Sequence, residues 1–111
     1  MPHLRFRGLS REAVKQISKP LVDTLSPLIG SPLDHFTLEF IPAEFMAKGQ
    51  VVSGYPIVEV LWLERALEVQ DKVAAEITST LRAWVGAERD ICVIFTKLEG
   101  RQYYENGSHF G

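Results

Sequence analysis

Pro2 has the most unusual chemistry in this sequence, because it directly follows the initiating Met1. If Met1 is removed, the N-terminus becomes the secondary amine of a proline. Burial lowers the pKa of an amine from its ordinary value of about 7.7–8.0 or above, since burial disfavours the charged form. A buried Pro2 amine would then be uncharged near neutral pH, and as a base it could remove a proton from a carbon next to a carbonyl. The alternative is that Pro2 only begins an edge strand, where its missing N–H does no harm.

Three arginines are candidates for binding an acidic substrate beside such a base, since arginine binds carboxylates in a bidentate manner. Arg65 follows the third predicted strand, where its loop would approach a pocket mouth, and we rank it first. Arg11, at the start of the first predicted helix, is second, and Arg5 lies on the first strand. A surface salt bridge is the alternative for each, and Glu64 and Glu68 are the nearest acidic partners of Arg65.

Length and composition indicate one globular domain spanning residues 1–111. The net charge of −2 argues against a nucleic-acid partner. No apolar run approaches the ~20 residues of a membrane span, and the first twenty residues carry charges rather than a signal core. We expect a cytoplasmic protein.

Signals for cofactors are absent from the sequence. The only cysteine, Cys92, has no metal-ligand spacing with any histidine, and it cannot form an intrachain disulfide. The sequence has neither a glycine-rich phosphate loop nor a serine nucleophile elbow. We therefore predict a protein that uses no metal or other cofactor.

An internal duplication organises the chain. When Gly30 is placed on Gly86, the apolar residues Ile17 and Leu21 fall on Val73 and Ile77, and no gap is needed. The two halves, about 2–42 and 56–99, each read as strand, helix, strand. Long helical crossovers of this kind permit parallel strand pairing. The sequence therefore predicts an α+β fold with two βαβ units, a mixed four-stranded sheet and both helices on one face.

Local signals place the elements within each half. Ser10 is a predicted N-cap and Gly30 a helix end, whereas Pro20 predicts a kink or a late helix start. The second helix carries an apolar stripe that ends at Trp84, which we predict to be a core residue. A loop or short hairpin is expected between the halves, and the Asn106-Gly107 pair predicts a terminal hairpin over residues 101–111.

Strand alternation predicts the sheet face that lies away from the helices. Cys92 is expected to face the helices. Arg5, Glu39 and Glu59 would pair across strands on the outer face. The same face would carry an exposed apolar patch, which predicts packing against other subunits; its members are Leu61, Leu63, Val93 and Phe95.

These features together resemble the tautomerase superfamily, which includes macrophage migration inhibitory factor and the oxalocrotonate tautomerases. The most specific match is GSPLDHFTLEFIPAEFMAKG, residues 30–49, with its helix-ending glycine, following proline and Met-Ala before a glycine. The ending SHFG is similar to that of the inhibitory-factor branch. The segment YPIVEVLWLERALEVQD, residues 55–71, looks like a bacterial subgroup of unassigned function.

The resemblance implies a homotrimer in which Pro2 acts as the base in a pocket near a subunit boundary. Oxalocrotonate-type members place a binding arginine near the position of Arg11. The inhibitory-factor branch has a lysine where this chain has Ser31, and a tyrosine and an asparagine where it has Val93 and Phe95. The pocket must therefore use other groups. The candidates in the tail are Tyr103, Tyr104, Asn106 and His109, and the alternative for the tail aromatics is packing at a trimer seam.

Two functions are consistent with the sequence. The first is a cofactor-independent tautomerase-like isomerase acting on a small oxo or enol acid, with Pro2 as general base after removal of Met1. The second is a non-catalytic oligomeric binding protein that retains the scaffold. Retained Met1 would favour the second, because an acylated Pro2 nitrogen is not basic.

Overall fold

The structure is a computed structural model that describes residues 1–111. Two 19-residue helices alternate with the strands, and two short 3₁₀ turns lie at Leu33–His35 and Gly100–Gln102. In chain order the elements are β1 (His3–Arg7), α1 (Arg11–Ile29), β2 (Thr37–Phe40), β3 (Phe45–Ala47), β4 (Gln50–Val52), β5 (Ile57–Leu63), α2 (Leu67–Val85), β6 (Cys92–Leu98), β7 (Tyr104–Glu105) and β8 (Ser108–His109).

The main sheet is mixed and has the strand order β2-β1-β5-β6. Strands β1 and β2 are parallel, as are β5 and β6, whereas β1 and β5 pair antiparallel. Both helices pack on one face, so the predicted α+β architecture is confirmed. Since β1 is an inner strand, the alternative that Pro2 begins an edge strand does not hold.

The first helix begins at Arg11, where the hydroxyl of Ser10 accepts a hydrogen bond from the Ala13 amide at 3.1 Å. It runs through Pro20 and ends at Gly30, whose φ of 79° suits a left-handed cap. The predicted late start is therefore wrong. The cap and the buried apolar face of the helix outweigh the single hydrogen bond that Pro20 removes.

The core lies between the sheet and the two helices. The indole of Trp62 is buried, and its ring centroid lies 5.0 Å from that of Phe95. Trp84 was predicted to be in the core, but it is 47% exposed near the end of α2, where the sheet no longer covers the helix stripe. The core residues are Leu4, Phe6, Val14, Ile17, Leu21, Leu25, Ile29, Val58, Val60, Trp62, Val73, Ile77 and Leu81.

The last main strand faces the opposite way from the prediction. Val93 and Phe95 pack against the core, whereas Ile94 is 44% exposed and Cys92 shares the outer face with Ile57. The duplication therefore needs one extra residue between α2 and β6. Because side chains alternate with a period of two, that single residue turns the whole strand over.

The outer face carries two ion pairs and an apolar group. Arg5 pairs with Glu39 at 3.1 Å, as predicted, but Glu59 pairs with Arg7 instead, also at 3.1 Å. With β6 reversed, the apolar residues of this face are Ile57, Leu61, Leu63, Ile94 and Leu98, which we call the outer apolar patch.

Both expected hairpins are present. Lys48 and Gly49 connect β3 to β4 with φ values of 52° and 74°, and Asn106 and Gly107 connect β7 to β8 with 52° and 86°. Positive φ at both central residues is the geometry that tight hairpin turns require. Neither helix is long and apolar enough to cross a membrane.

The register of β6 predicts a large loss of stability for one substitution and a small loss for its neighbour. Phe95→Ala should lower the free energy of unfolding by about 3 kcal/mol, because it opens a cavity against Trp62. Ile94→Ala should cost less than about 1 kcal/mol, because its side chain is on the outer face. Urea denaturation at a protein concentration at which both variants sediment as monomers measures the difference. A larger loss for Ile94→Ala would contradict this register.

Candidate functional site

The topology brings four chain segments to one end of the sheet. Because β1 and β5 are antiparallel, the start of β1 lies beside the end of β5. Helix α1 returns along β1, so its C-terminus reaches the same end, and the C-terminal tail closes over it. Pro2 is fully buried there, and its carbonyl accepts a hydrogen bond from the Thr37 amide at 3.0 Å.

A cleft of about 390 Å³ lies beside Met1. Met1, which is bonded to the nitrogen of Pro2, lines the cleft, whereas the buried Pro2 is not itself one of the lining residues. Only three of the ten lining residues are apolar. The lining residues are Met1, His3, Ser31, Asp34, His35, Thr37, Leu63, Arg65, Glu105 and Phe110.

The amino group of Met1 donates a hydrogen bond to the carbonyl of His35. Burial is the main reason that the pKa of this amine is lowered from its ordinary value. The positive charge of Arg65 lowers the pKa further, whereas the carboxylates of Glu105 and Asp34 oppose the shift. The N-terminus of the chain is therefore in an environment that favours a neutral amine.

The guanidinium of Arg65 is held by backbone carbonyls. Its Nε donates to the carbonyl of Ile29 at 3.1 Å, and its Nη1 donates to the carbonyl of Leu63 at 2.9 Å. Nη2 lies 3.5 Å from the hydroxyl of Ser31. Helix α1 has no basic residue in its own last turn, so Arg65 supplies the positive charge that favours a helix C-terminus.

Arg65 forms no salt bridge with a carboxylate. Neither of the two acidic residues considered as its partners pairs with it: Glu64 lies 4.0 Å from Lys97, and Glu68 is in the first turn of α2. Its positive charge is therefore fixed in position at the cleft wall but is not neutralised by an ion pair. Such a guanidinium suits an anionic ligand.

Hydrogen bonds beside the cleft join the first strand to the tail. His3 Nε2 lies 2.8 Å from the hydroxyl of Tyr103, which donates to Glu105 Oε2 at 2.8 Å. The sequence named Tyr103 but missed His3 and Glu105. Alternation placed His3 beside Pro2, yet no local signal joins residues that are a hundred positions apart.

The other predicted binding residues lie outside the cleft of this chain. The guanidinium of Arg11 lies 5.3 Å from the ring centroid of Phe40. Tyr104 accepts a hydrogen bond from Arg101, and Asn106 occupies the tail turn. The chain has no group of three or more His, Cys, Asp or Glu residues that could hold a metal ion.

The family model described as a domain of unknown function, DUF1904, matches residues 1–109. The chain belongs to the DUF1904 family. A crystal structure of a DUF1904 domain from Sebaldella termitidis has a TM-score of 0.92 and 34% identity, covering 99% of this chain and 100% of that one. No protein of curated function matches this sequence.

More distant structures place this DUF1904 protein in the tautomerase fold. A macrophage migration inhibitory factor-like protein from Entamoeba histolytica has a TM-score of 0.76 and 19% identity, covering 98% of both chains. A structure described as a fused 4-OT asymmetric trimer has a TM-score of 0.79 and 13% identity, covering 96% of this chain and 94% of that one. At these identities the likeness establishes the fold.

The charge of Arg65 predicts the behaviour of the amino group beside it. In protein that retains Met1, Arg65→Gln should raise the pKa of the Met1 amine, because a nearby positive charge is removed. The pH dependence of amine acylation, followed by mass spectrometry, measures this shift. Arg89→Gln is the matched control and should leave the pKa unchanged, because Arg89 bonds to Ser53 and does not line the cleft. An unchanged or lowered pKa in Arg65→Gln would contradict the electrostatic role of Arg65.

Proposed function

We propose that this DUF1904 protein is a tautomerase-like isomerase acting on a small oxo or enol acid. Its general base is Pro2, after removal of Met1. The proposal rests chiefly on one observation, that Met1, the residue bonded to the buried Pro2 nitrogen, lines a cleft together with the guanidinium of Arg65. The tautomerase fold is consistent with this chemistry, although a fold alone does not establish a reaction.

In this mechanism the neutral Pro2 amine takes a proton from the carbon next to the substrate's carbonyl. Burial, which lowers the pKa of the Met1 amine, would also favour the neutral form of Pro2. The electrons of the broken C–H bond move toward the carbonyl oxygen and form an enolate. The proton then returns to a different atom, so the substrate is isomerised and no cofactor is consumed.

Arg65 is the proposed substrate-binding residue. It lies beside Ser31, the position at which the inhibitory-factor branch carries a lysine, so a guanidinium replaces an ammonium at the end of α1. Its bonds to backbone carbonyls restrict its motion, and an arginine held in this way loses little entropy on binding a carboxylate. The mostly polar lining favours a compact acid over one with a large aromatic group.

The role of Pro2 predicts a specific loss of rate. Mass spectrometry of protein from its natural host should show that Met1 is absent. With a small oxo acid, Pro2→Ala should lower kcat by about 10²–10⁴, the usual range for loss of a general base. In the proline enzyme, kcat/KM should fall as the pH drops below the pKa of the amine, because the ammonium cannot accept a proton.

Both results of that experiment are informative. Pro2→Ala retains a primary N-terminal amine. Its circular dichroism spectrum and unfolding midpoint should show whether the fold is intact. Retained Met1 in natural protein would contradict amine catalysis and favour a non-catalytic binding protein on the same scaffold. An unchanged kcat in folded Pro2→Ala would likewise contradict the role of Pro2.

We also propose that the chain forms a homotrimer through the outer apolar patch. The 4-OT relative described as a trimer supports this assembly. The patch, in which Ile94 is exposed and the other four residues are half-buried, supports it too, because apolar patches at the surface usually mark an interface. In such an assembly, Arg11, Tyr104 and Asn106 of one chain would be able to reach the cleft of a neighbouring chain. They do not line the cleft of their own chain.

Sedimentation velocity at micromolar concentration should therefore give a trimer. Ile94→Lys places a charge in the outer apolar patch and should shift the protein toward monomer. Val51→Lys is the matched control, because Val51 is exposed on β4, outside the main sheet. A monomer for the unmodified chain, or equal dissociation by both variants, would contradict an interface at this patch.

A further inference from the structure

The hydrogen-bonded chain of His3, Tyr103 and Glu105 has chemistry that the proposed Pro2 mechanism does not use. His3 and Glu105 line the cleft, and the hydroxyl of Tyr103 joins them with two contacts of 2.8 Å. The Tyr103 ring is held by an edge contact with Phe110, at a centroid distance of 4.9 Å. These hydrogen bonds therefore connect β1, which directly follows Pro2, to the C-terminal tail.

The direction of these hydrogen bonds fixes the tautomer of His3. The carboxylate of Glu105 only accepts, so the hydroxyl of Tyr103 donates to it. The Tyr103 oxygen is then left as an acceptor, and the proton between the two rings must belong to His3 Nε2. A neutral imidazole carries one proton, so Nδ1 of His3 is left unprotonated.

The charges around the ring are consistent with this assignment. Burial is the first reason that the pKa of His3 is lowered, and the positive N-terminus lowers it further. The carboxylates of Glu105 and Glu39 act in the opposite direction. Burial and the hydrogen bond to Glu105 raise the pKa of Tyr103, so its hydroxyl keeps the proton that it donates.

We propose that His3 is the second proton-transfer group of the cleft, held with its proton on Nε2 by Tyr103 and Glu105. This assignment rests on the proposed isomerase function, because it gives the substrate oxygen a partner while Pro2 serves the substrate carbon. The unprotonated Nδ1 is the ring atom available to a ligand. Tyr103 and Glu105 are positioning residues that act through His3.

The proton transfers balance in the direction from enol to ketone. The enol O–H proton moves to the imidazole of His3, which becomes an imidazolium. The electron pair of the O–H bond forms the carbonyl, and the carbon takes a proton from the Pro2 ammonium, which becomes a neutral amine. Exchange with water then restores both groups, so the reaction has no net proton change and needs no other reactant.

Nuclear magnetic resonance tests the assignment without any turnover. The ¹⁵N shifts of the His3 ring should show the Nε2-protonated tautomer in its neutral form and a pKa below the ordinary value. Tyr103→Phe keeps the ring packing on Phe110 but removes the hydroxyl, so it should release this preference and give a mixture of tautomers. A mixture already present in the unmodified protein would overturn the proposal.

Kinetics test whether the held imidazole transfers a proton. With an enol acid as the substrate, the direction in which neutral His3 accepts the proton, His3→Gln should lower kcat by about 10²–10⁴ with little change in KM, and Tyr103→Phe should lower it less. Added imidazole should restore part of the rate to His3→Ala, which a purely structural role would not allow. Arg89→Gln is the control, because Arg89 bonds to Ser53 and does not line the cleft. An unchanged kcat in His3→Gln would overturn the proposal.

The outcomes separate this inference from the proposed function. A loss of rate in Pro2→Ala but not in His3→Gln would overturn the role of His3 and support Pro2. A loss in His3→Gln but not in Pro2→Ala would support His3 and overturn Pro2 as the base. If the unmodified protein turns over none of the oxo and enol acids offered, the isomerase function and the role of His3 both fail, whatever tautomer is observed.

Discussion

The antiparallel pairing of β1 with β5 is the constraint on which the rest of the structure depends. Each half of the chain is a βαβ unit with a parallel strand pair, and this single antiparallel contact joins the two units into one sheet. It places the N-terminus of the chain beside the end of β5. Met1 at the start of one half and Arg65 just after β5 can line one cleft only because the halves run in opposite directions.

The cleft is built from groups that also hold the fold together. Arg65 satisfies carbonyls at the end of α1, while its charge remains free of any carboxylate partner. Pro2 is buried, and its carbonyl bonds to β2. Because these groups are restrained by the fold itself, the site is pre-organised, and ordering them costs little when a ligand binds.

Membership in the DUF1904 family and the tautomerase fold fix the scaffold, whereas several residues depart from the pattern of the inhibitory-factor branch that the sequence resembles. Ser31 stands where that branch has a lysine, and Arg65 brings a positive charge to the same helix end from another loop. Val93 and Phe95 replace the polar residues of the last strand and pack into the core. Polar groups near the cleft come instead from the tail and from His3.

The sequence by itself determined the duplicated halves, the caps at Ser10 and Gly30, both hairpins and the mixed sheet. These depend on local chemistry and on periodic patterns that neighbouring residues carry. The face of β6 depended on one residue in a connecting loop, which the helix alignment could not reveal. The contacts of Arg65 with α1, and of His3 with the tail, join distant residues, so only the tertiary structure decided them.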